Sequence, residues 1–409
     1  MGKAVLVIAT LDTKGEEVKY IKERFAFKGV DAIVLDSGMR GVPIGVVPQV
    51  SRRQVAEAAG TDIERVGEMR RGPAIEVMRK GVAMMCKRLY QLGRIQGVMA
   101  LGGSDGAILA SAGMQELPTG FPKLIVSPIF QGREKFGEFV GLSDIILMHS
   151  MVDILGINRI SRRIFDNAVG AMVGMLDVVP PSEDTARRMI GITMYGQTTP
   201  AVMKAKSILE EENFEVVVFH PNGTGGRIME KMAQEDLFSG VLDMTTHEIV
   251  DEMFGGIHAG GPKRLEVVGE KGIPQVVVPG CVDFILCGPI GTLPKKYRKR
   301  PVYPFNPALT LVRTTKNEMI KIGRTMAEKL NRSKGPTVVL VPTKGLSMYD
   351  RPGEPIYDPV ADAAFVKALT TNLNPRIKVK EVNCHINDPV FAEECVYELK
   401  KVINECSSR

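Results

Sequence analysis

Along this chain, short apolar runs enter turns bearing Thr or Gly, and a stretch of helical periodicity follows each. The pattern occurs twice: VLVIATLDTKGEEVKYI at Val5 to Ile21 and IGITMYGQTTPAVMKAK at Ile190 to Lys206. Downstream, GVMALGGSDGAILAS (Gly97 to Ser111) matches GVLDMTTHEIVDEM (Gly240 to Met253), and FPKLIVSPI (Phe121 to Ile129) matches IPQVVVPGC (Ile273 to Cys281). Apolar runs alternating with helical segments predict βαβ units and mostly parallel sheets. The fold class expected is therefore α/β, with two Rossmann-like, doubly wound domains and a cleft between them.

In the first half, strands are predicted at Ala4 to Ala9, Ala32 to Leu35, Gly97 to Leu101 and Leu124 to Val126. Residues Arg40 to Thr61 have no counterpart in the second half and read as an insertion with a helix from about Arg52. A long helix is predicted from about Gly156 to Asp177, where Ala168, Gly170, Ala171 and Gly174 suggest close backbone packing, within the chain or across a dimer contact. The two prolines of VVPPSEDTAR (Val178 to Arg187) mark the boundary between domains 1–180 and 188–409. Second-half strands are predicted at Met189 to Thr193, Glu215 to Phe219, Gln275 to Val278, Thr337 to Val341 and Lys378 to Val382.

A chain of 409 residues can support two cores, since a single core seldom grows past about 250–300 residues. With 44% hydrophobic and 24% charged residues, the composition is that of a globular protein. Much of the net charge of +6 resides in KKYRKR (Lys295 to Arg300), read as a solvated loop or a phosphate or nucleic-acid contact. No zinc-finger spacing, aromatic ladder or tryptophan points to nucleic acid. The six cysteines include no C-x-x-C pair, which argues for a reducing cytoplasm. No segment has the length or apolarity of a membrane span.

Candidate chemistry falls in the turns after strands, where open α/β sheets place their sites. In ALGGSDG, Gly102 and Gly103 would admit a ligand's close approach while the amides of Ser104, Asp105 and Gly106 face it from a helix start. The alternative is a structural turn capped by Ser104 or Asp105. HPNGTGG offers a comparable turn at Asn222, Gly223, Thr224, Gly225 and Gly226, again either an anion site or a plain tight turn. Neither is a Walker A motif or a full dinucleotide fingerprint. Thr10, Asp12, Thr13 and Lys14 in one half, and Gly196, Thr198 and Thr199 in the other, occupy equivalent turns. Thr13 and Thr198 are candidate helix caps, or line the same cleft as the glycine turns.

None of the five histidines forms an H-x-x-x-H or H-E-x-x-H pair, so any metal site must be assembled from distant segments and its ligands are unknown. His258 and His385 lie in polar loops, as structural residues or as an acid/base pair. Asp283, with Cys281, follows a strand as a metal ligand, a catalytic group or a mere turn. His258, Asp283 and His385 are thus the catalytic candidates.

The motifs T-x-D-T-K (Thr10 to Lys14), ALGGSDG, V-D-I-x-G-I-N (Val152 to Asn158), G-x-T-T-P (Gly196 to Pro200), G-x-G-G-R-x-M-E (Gly223 to Glu230), L-D-x-T-T-x-E (Leu242 to Glu248), Y-D-P (Tyr357 to Pro359) and H-I-N-D-x-x-F-A (His385 to Ala392) occur in that order. Through them nearly the whole chain resembles the ATP-binding domain family typified by the tomato mosaic virus resistance protein, whose bacterial and fungal members are largely uncharacterised. The resemblance implies two Rossmann-like domains, a homodimer and bound ATP. The site it implies is shared between Thr10 to Lys14 with Gly102 to Gly106 and Gly196 to Thr199 with Asn222 to Gly226, the phosphates lying on the first half. Asp105 departs from the family's expected glycine turn, and either recruits Mg²⁺ or signals a different ligand. Three functions are carried forward: an ATP-binding protein, a lyase or hydrolase acting on a small phosphorylated or carboxylated metabolite, and an ATP-stabilised interaction module.

Overall fold

A computed structural model describes residues 2–130, 137–179 and 187–407. The chain divides into two compact units, Met1–Ser182 and Glu183–Arg409. In the N-terminal unit, strands β1 (Ala4–Ala9), β2 (Asp31–Asp36), β3 (Gly97–Leu101), β4 (Lys123–Ser127) and β5 (Ile146–His149) form one sheet in the order β2-β1-β3-β4-β5. Every pairing in it is parallel. All six residues of β1 are buried because helices cover both sheet faces. Strand periodicity divides them: Leu6 and Ile8 pack into one core with Val98 and Ala100, while Val5 and Val7 pack into another with Met99 and Leu101.

The C-terminal unit begins with β6 (Met189–Thr193), β7 (Glu215–Phe219), β8 (Gly240–Asp243) and β9 (Gln275–Val277). An antiparallel excursion follows, made of β10 (Phe284–Cys287), β11 (Val302–Asn306) and β12 (Leu309–Arg313), before the chain returns to the main sheet as β13 (Thr337–Pro342) and β14 (Lys378–Val382). The main sheet runs β14-β13-β9-β8-β6-β7, all parallel. Both large sheets therefore reverse strand order at the same place, between the first and third strands of the unit. In doubly wound sheets this reversal opens a crevice at the carboxyl ends of the strands.

Several elements depart from the sequence expectation. β5 and the small antiparallel sheet fall outside the expected strands, although β10 is the buried apolar run FILC. Thr10, not Thr13, precedes the helix Leu11–Phe27, and its side chain makes no capping bond. The helix Arg159–Asp177 starts one residue after Asn158, whose side chain caps it. Of its small residues, Ala168 is buried, but Cβ atoms added at Gly170 and Gly174 would meet nothing within 4 Å, so those glycines serve no close packing within the described residues. The close approach is made by strand residue Gly97, where a Cβ would lie 2.8 Å from Met172 Sδ. In the KKYRKR run, buried Tyr297 donates to Phe254 O at 2.6 Å and Arg300 pairs with Glu318 at 2.6 Å, so this loop is anchored. No described helix is long and apolar enough to cross a membrane.

Candidate functional site

At the β1/β3 reversal, the turns after those two strands converge on a cavity of about 420 Å³. Thr10, Asp12, Thr13 and Lys14 line it from the first turn, and Gly103, Ser104, Asp105 and Gly106 from the second, with Arg40, Arg71 and Asp153 nearby. The helix Ser104–Gln115 starts here with no side-chain cap, which leaves its first amides and the positive end of its dipole facing the cavity. The two glycines before it do different work. A Cβ on Gly102 would lie 3.1 Å from Gly106 Cα, so Gly102 serves strand-to-helix packing, whereas a Cβ on Gly103 would meet nothing within 4 Å.

The cations around the cavity are anchored in two ways. Arg71 pairs with Asp105 at 2.7 Å, so the extra carboxylate of the glycine turn is held by a protein cation. Lys14 Nζ donates to the Ile154 carbonyl, and Arg40 donates to Gly67 O at 3.1 Å and Met69 O at 2.8 Å. Such backbone acceptors fix these side chains without cancelling their charge. Asp12 Oδ1 is buried with no hydrogen-bond partner and lies 3.8 Å from Arg52 Nη2.

The equivalent glycine turn of the C-terminal unit is filled by protein. Gly223 N donates to Glu248 Oε1 at 2.8 Å, and Gly226 N reaches the same oxygen at 3.4 Å. The anion at this helix start is thus a carboxylate of the chain itself. A Cβ on Gly225 would lie 1.9 Å from His220 O, and one on Gly226 would lie 2.0 Å from Glu248 Oε2, so both glycines are packing requirements. Glu248 is held in turn by fully buried Arg264 at 2.7 Å, which also meets Asp243 at 2.6 and 2.8 Å and Glu230 at 3.3 Å. Asp243 accepts from Thr193 Oγ1 at 2.7 Å, and Thr198 Oγ1 lies 2.8 Å from Thr245 Oγ1. Thr198 is therefore consumed in a buried network, while a Cβ on Gly196 would find open space and Thr199 Oγ1 donates to Tyr195 O at 3.2 Å. Asn222 accepts from Thr224 Oγ1 at 2.9 Å within the turn.

Beside this network, at the β6/β8 reversal, lies a group of aromatic and ionisable side chains. His247 opens the helix His247–Phe254 after β8, and Asp251 stands one turn later on the same face. His258 comes from the loop beyond that helix. One potential ligand atom from each of these three residues falls within 4.8 Å of the other two. His247 Nδ1 donates to Cys281 O at 2.9 Å. His247 Nε2 sits 3.2 Å from Asp251 Oδ2, off the direction of a hydrogen bond, and so has no hydrogen-bond partner. Asp251 accepts from Leu286 N at 3.0 Å and from His258 N at 2.9 Å. His258 Nδ1 lies 2.9 Å from the hydroxyl of buried Tyr195. Burial and then the neighbouring His247 push the pKa of His258 down, against the opposing charge of Asp251. The His247 ring is held between Tyr195, with centroids 5.4 Å apart, and Phe284 at 4.5 Å.

The three catalytic candidates fall into two sets. His258 belongs to the histidine cluster. Asp283 and His385 meet at Ser347, whose hydroxyl donates to Asp283 Oδ2 at 2.7 Å and whose carbonyl accepts from His385 Nε2 at 2.9 Å. His385 Nδ1 faces Asn387 N at 3.1 Å, so both ring nitrogens are engaged. Burial, followed by the nearby Asp350, pushes Asp283 up to about 7, with Arg313 opposing. Sequence reasoning passed over Tyr195, His247 and Asp251. The available signal was His-x-x-x-Asp, which puts two donors on one helical face as H-x-x-x-H would.

Two tandem parallel sheets, each with polar side chains gathered at its strand-order reversal, define a Rossmann-like two-domain α/β protein. The chain belongs to the UPF0261 family: residues 3–181 match the model described as "Uncharacterised protein family (UPF0261) N-terminal domain", and residues 187–403 match its C-terminal counterpart. It is 42% identical over 406 residues to a UPF0261 protein of Clostridium tetani, covering 99% of both chains. It is 34% identical to the ToMV resistance protein Tm-1(GCR237) of Solanum lycopersicum, a match that covers 96% of this chain and 55% of the tomato protein. Among solved structures, the UDP-N-acetylglucosamine 2-epimerase of Rickettsia bellii aligns with 68% of this chain and 79% of its own at 12% identity, with a TM-score of 0.24, a likeness that carries no argument.

Proposed function

We propose that the N-terminal unit is a nucleotide-binding module whose ligand is ATP, the phosphates lying against the Thr10 to Lys14 turn and the uncapped start of the helix Ser104–Gln115. One observation carries this reading: two turns far apart in sequence line a single cavity at the β1/β3 reversal. Its volume of about 420 Å³ is within the range of small-molecule sites. The open space at Gly103 suits close backbone approach, and Lys14 and Arg40 keep charge to offer an anion. Asp12, with an unpartnered oxygen, fits Mg²⁺ better than Asp105, which Arg71 engages.

Isothermal titration with ATP and Mg²⁺ tests the reading, paired with the variant Gly103→Val. The added Cβ meets nothing within 4 Å, so folding should change by no more than about 1 kcal/mol, the scale of a helix-cap effect, while nucleotide binding is lost. Wild-type protein that binds no nucleotide at millimolar concentration would overturn it. Retained affinity in the variant would move the ligand elsewhere.

A second reading, an enzyme acting on a small carboxylated or phosphorylated metabolite, draws support from Tyr195 and His258 at the β6/β8 reversal, an acid/base pair in hydrogen-bond contact at 2.9 Å. A thermal-shift screen of metabolites followed by a turnover assay separates the two. Stabilisation by ATP without turnover of any hit favours the binding module.

A further inference from the structure

We propose that His247, Asp251 and His258 bind a divalent first-row transition metal ion of the zinc type. The cluster belongs to the C-terminal unit, and the proposal does not depend on the reading of the N-terminal cavity. Two imidazoles and one carboxylate are a donor set suited to Zn²⁺, Fe²⁺ or Co²⁺, and three protein ligands leave further positions open, as at catalytic metal centres. The three donor atoms already lie within 4.8 Å of one another, so modest side-chain movement brings them around one ion.

Three further features point to a ligand. The first is the orientation of His247. A carbonyl oxygen can only accept, so the bond to Cys281 O places a proton on Nδ1 and leaves Nε2 as the atom that would face a metal. Metal-binding histidines are commonly fixed by such a bond from the other ring nitrogen. Second, Nε2 is buried and has no partner of hydrogen-bond geometry. Its neighbour at 3.2 Å is an oxygen of Asp251, and a cation bonded to both atoms takes the place of the proton they would otherwise share. Third, the ligands are supported. Two backbone amides, Leu286 N and His258 N, orient the Asp251 carboxylate, Tyr195 Oη contacts His258 Nδ1, and two rings clasp His247. Removing the ion leaves these supports in place, so the site is pre-organised.

His258 is half-buried, and exposed His220 stacks on Tyr195 with ring centroids 5.2 Å apart, so the cluster faces solvent on that side. An oxygen of a small substrate, from a carboxylate or carbonyl, is the group such an open position would take.

The full chain, stripped with a chelator and kept free of nucleotide, is titrated with Co²⁺. One equivalent should bind with visible ligand-field bands, and Zn²⁺ should displace it. His258→Gln, at a half-buried position, should retain the wild-type circular dichroism spectrum and lower Co²⁺ affinity by at least about 100-fold, beyond the 10–100-fold typical of outer-shell partners. Tyr195→Phe should lower it by about 10-fold, and His385→Gln, outside the cluster, should bind as wild type. A titration without stoichiometric uptake, which would leave a shared proton between His247 and Asp251, overturns the proposal. So does wild-type affinity in folded His258→Gln.

Discussion

Arg264 is fully buried and faces Asp243, Glu248 and Glu230, so among the described residues its guanidinium is the charge that makes three interior carboxylates tolerable. Removing one partner of a buried ion pair costs about 3–5 kcal/mol because the remaining charge stays uncompensated. Arg264→Met should therefore destabilise the C-terminal unit by at least that amount in urea unfolding, and a loss below about 1 kcal/mol would contradict this role. Glu230 shows the strain of the arrangement. Burial pushes it from the ordinary 4.5 up to about 7, with Arg264 and the Leu265 amide opposing. The folded state thus holds this proton more tightly than the unfolded chain. Its contribution to stability is complete below about 4.5 and is lost as pH rises through about 7. The urea midpoint should fall across that window, and Glu230→Gln should flatten the fall; an equally steep fall in the variant would assign it to another group. At this scale the sequence was legible only where residues are neighbours in a turn. Lys14 and Asp12 could be singled out with Thr10, but Arg264 and Tyr195 acquire their partners only when distant segments pack.

The glycine turns illustrate the limits of local reading for elements. GGSDG and GTGG look alike in sequence, since both follow strands and open helices, and the anion reading applies equally to each. In the fold, the first leaves its helix start open, whereas the second is closed by Glu248, itself two elements away. Alanine scanning distinguishes them. Gly225→Ala pushes a Cβ to within 1.9 Å of His220 O and should cost about 1–3 kcal/mol or more. Gly103→Ala, which meets nothing, should cost no more than about 1 kcal/mol. Equal losses at the two sites would refute the assignment of one turn to packing and the other to a ligand.

For the whole molecule, the repeated strand-turn-helix pattern was sufficient to read two parallel α/β units, because β-strands buried on both faces, such as β1, appear as unbroken apolar runs. β5 is only partly buried and β11 has Pro304 inside it, so neither carries a full run, whereas β10, the buried apolar run Phe284–Cys287, was legible and passed over. Each unit has its own sheet and cores. A ligand raises stability by RT ln(1 + [L]/Kd) in the unit that binds it. In calorimetry, ATP with Mg²⁺ should shift the melting of the N-terminal unit and Co²⁺ that of the C-terminal one; a shift of both by either ligand would show that the units melt together.

The antiparallel excursion separates β9 from its sheet neighbour β13 by the whole stretch from Val278 to Pro336. Loop length adds little to the equilibrium cost, about 0.6 kcal/mol per doubling. Its effect is on timing. A ribosome adding about 5–20 residues per second delivers β13 several seconds after β9. During that interval β8 covers one side of β9 and the other side is an unpaired edge, the kind of surface that recruits other chains. Nascent chains halted between β12 and β13 should aggregate or engage chaperones, and those released after β14 should not, so the order of synthesis places one such hazard in the middle of its C-terminal half.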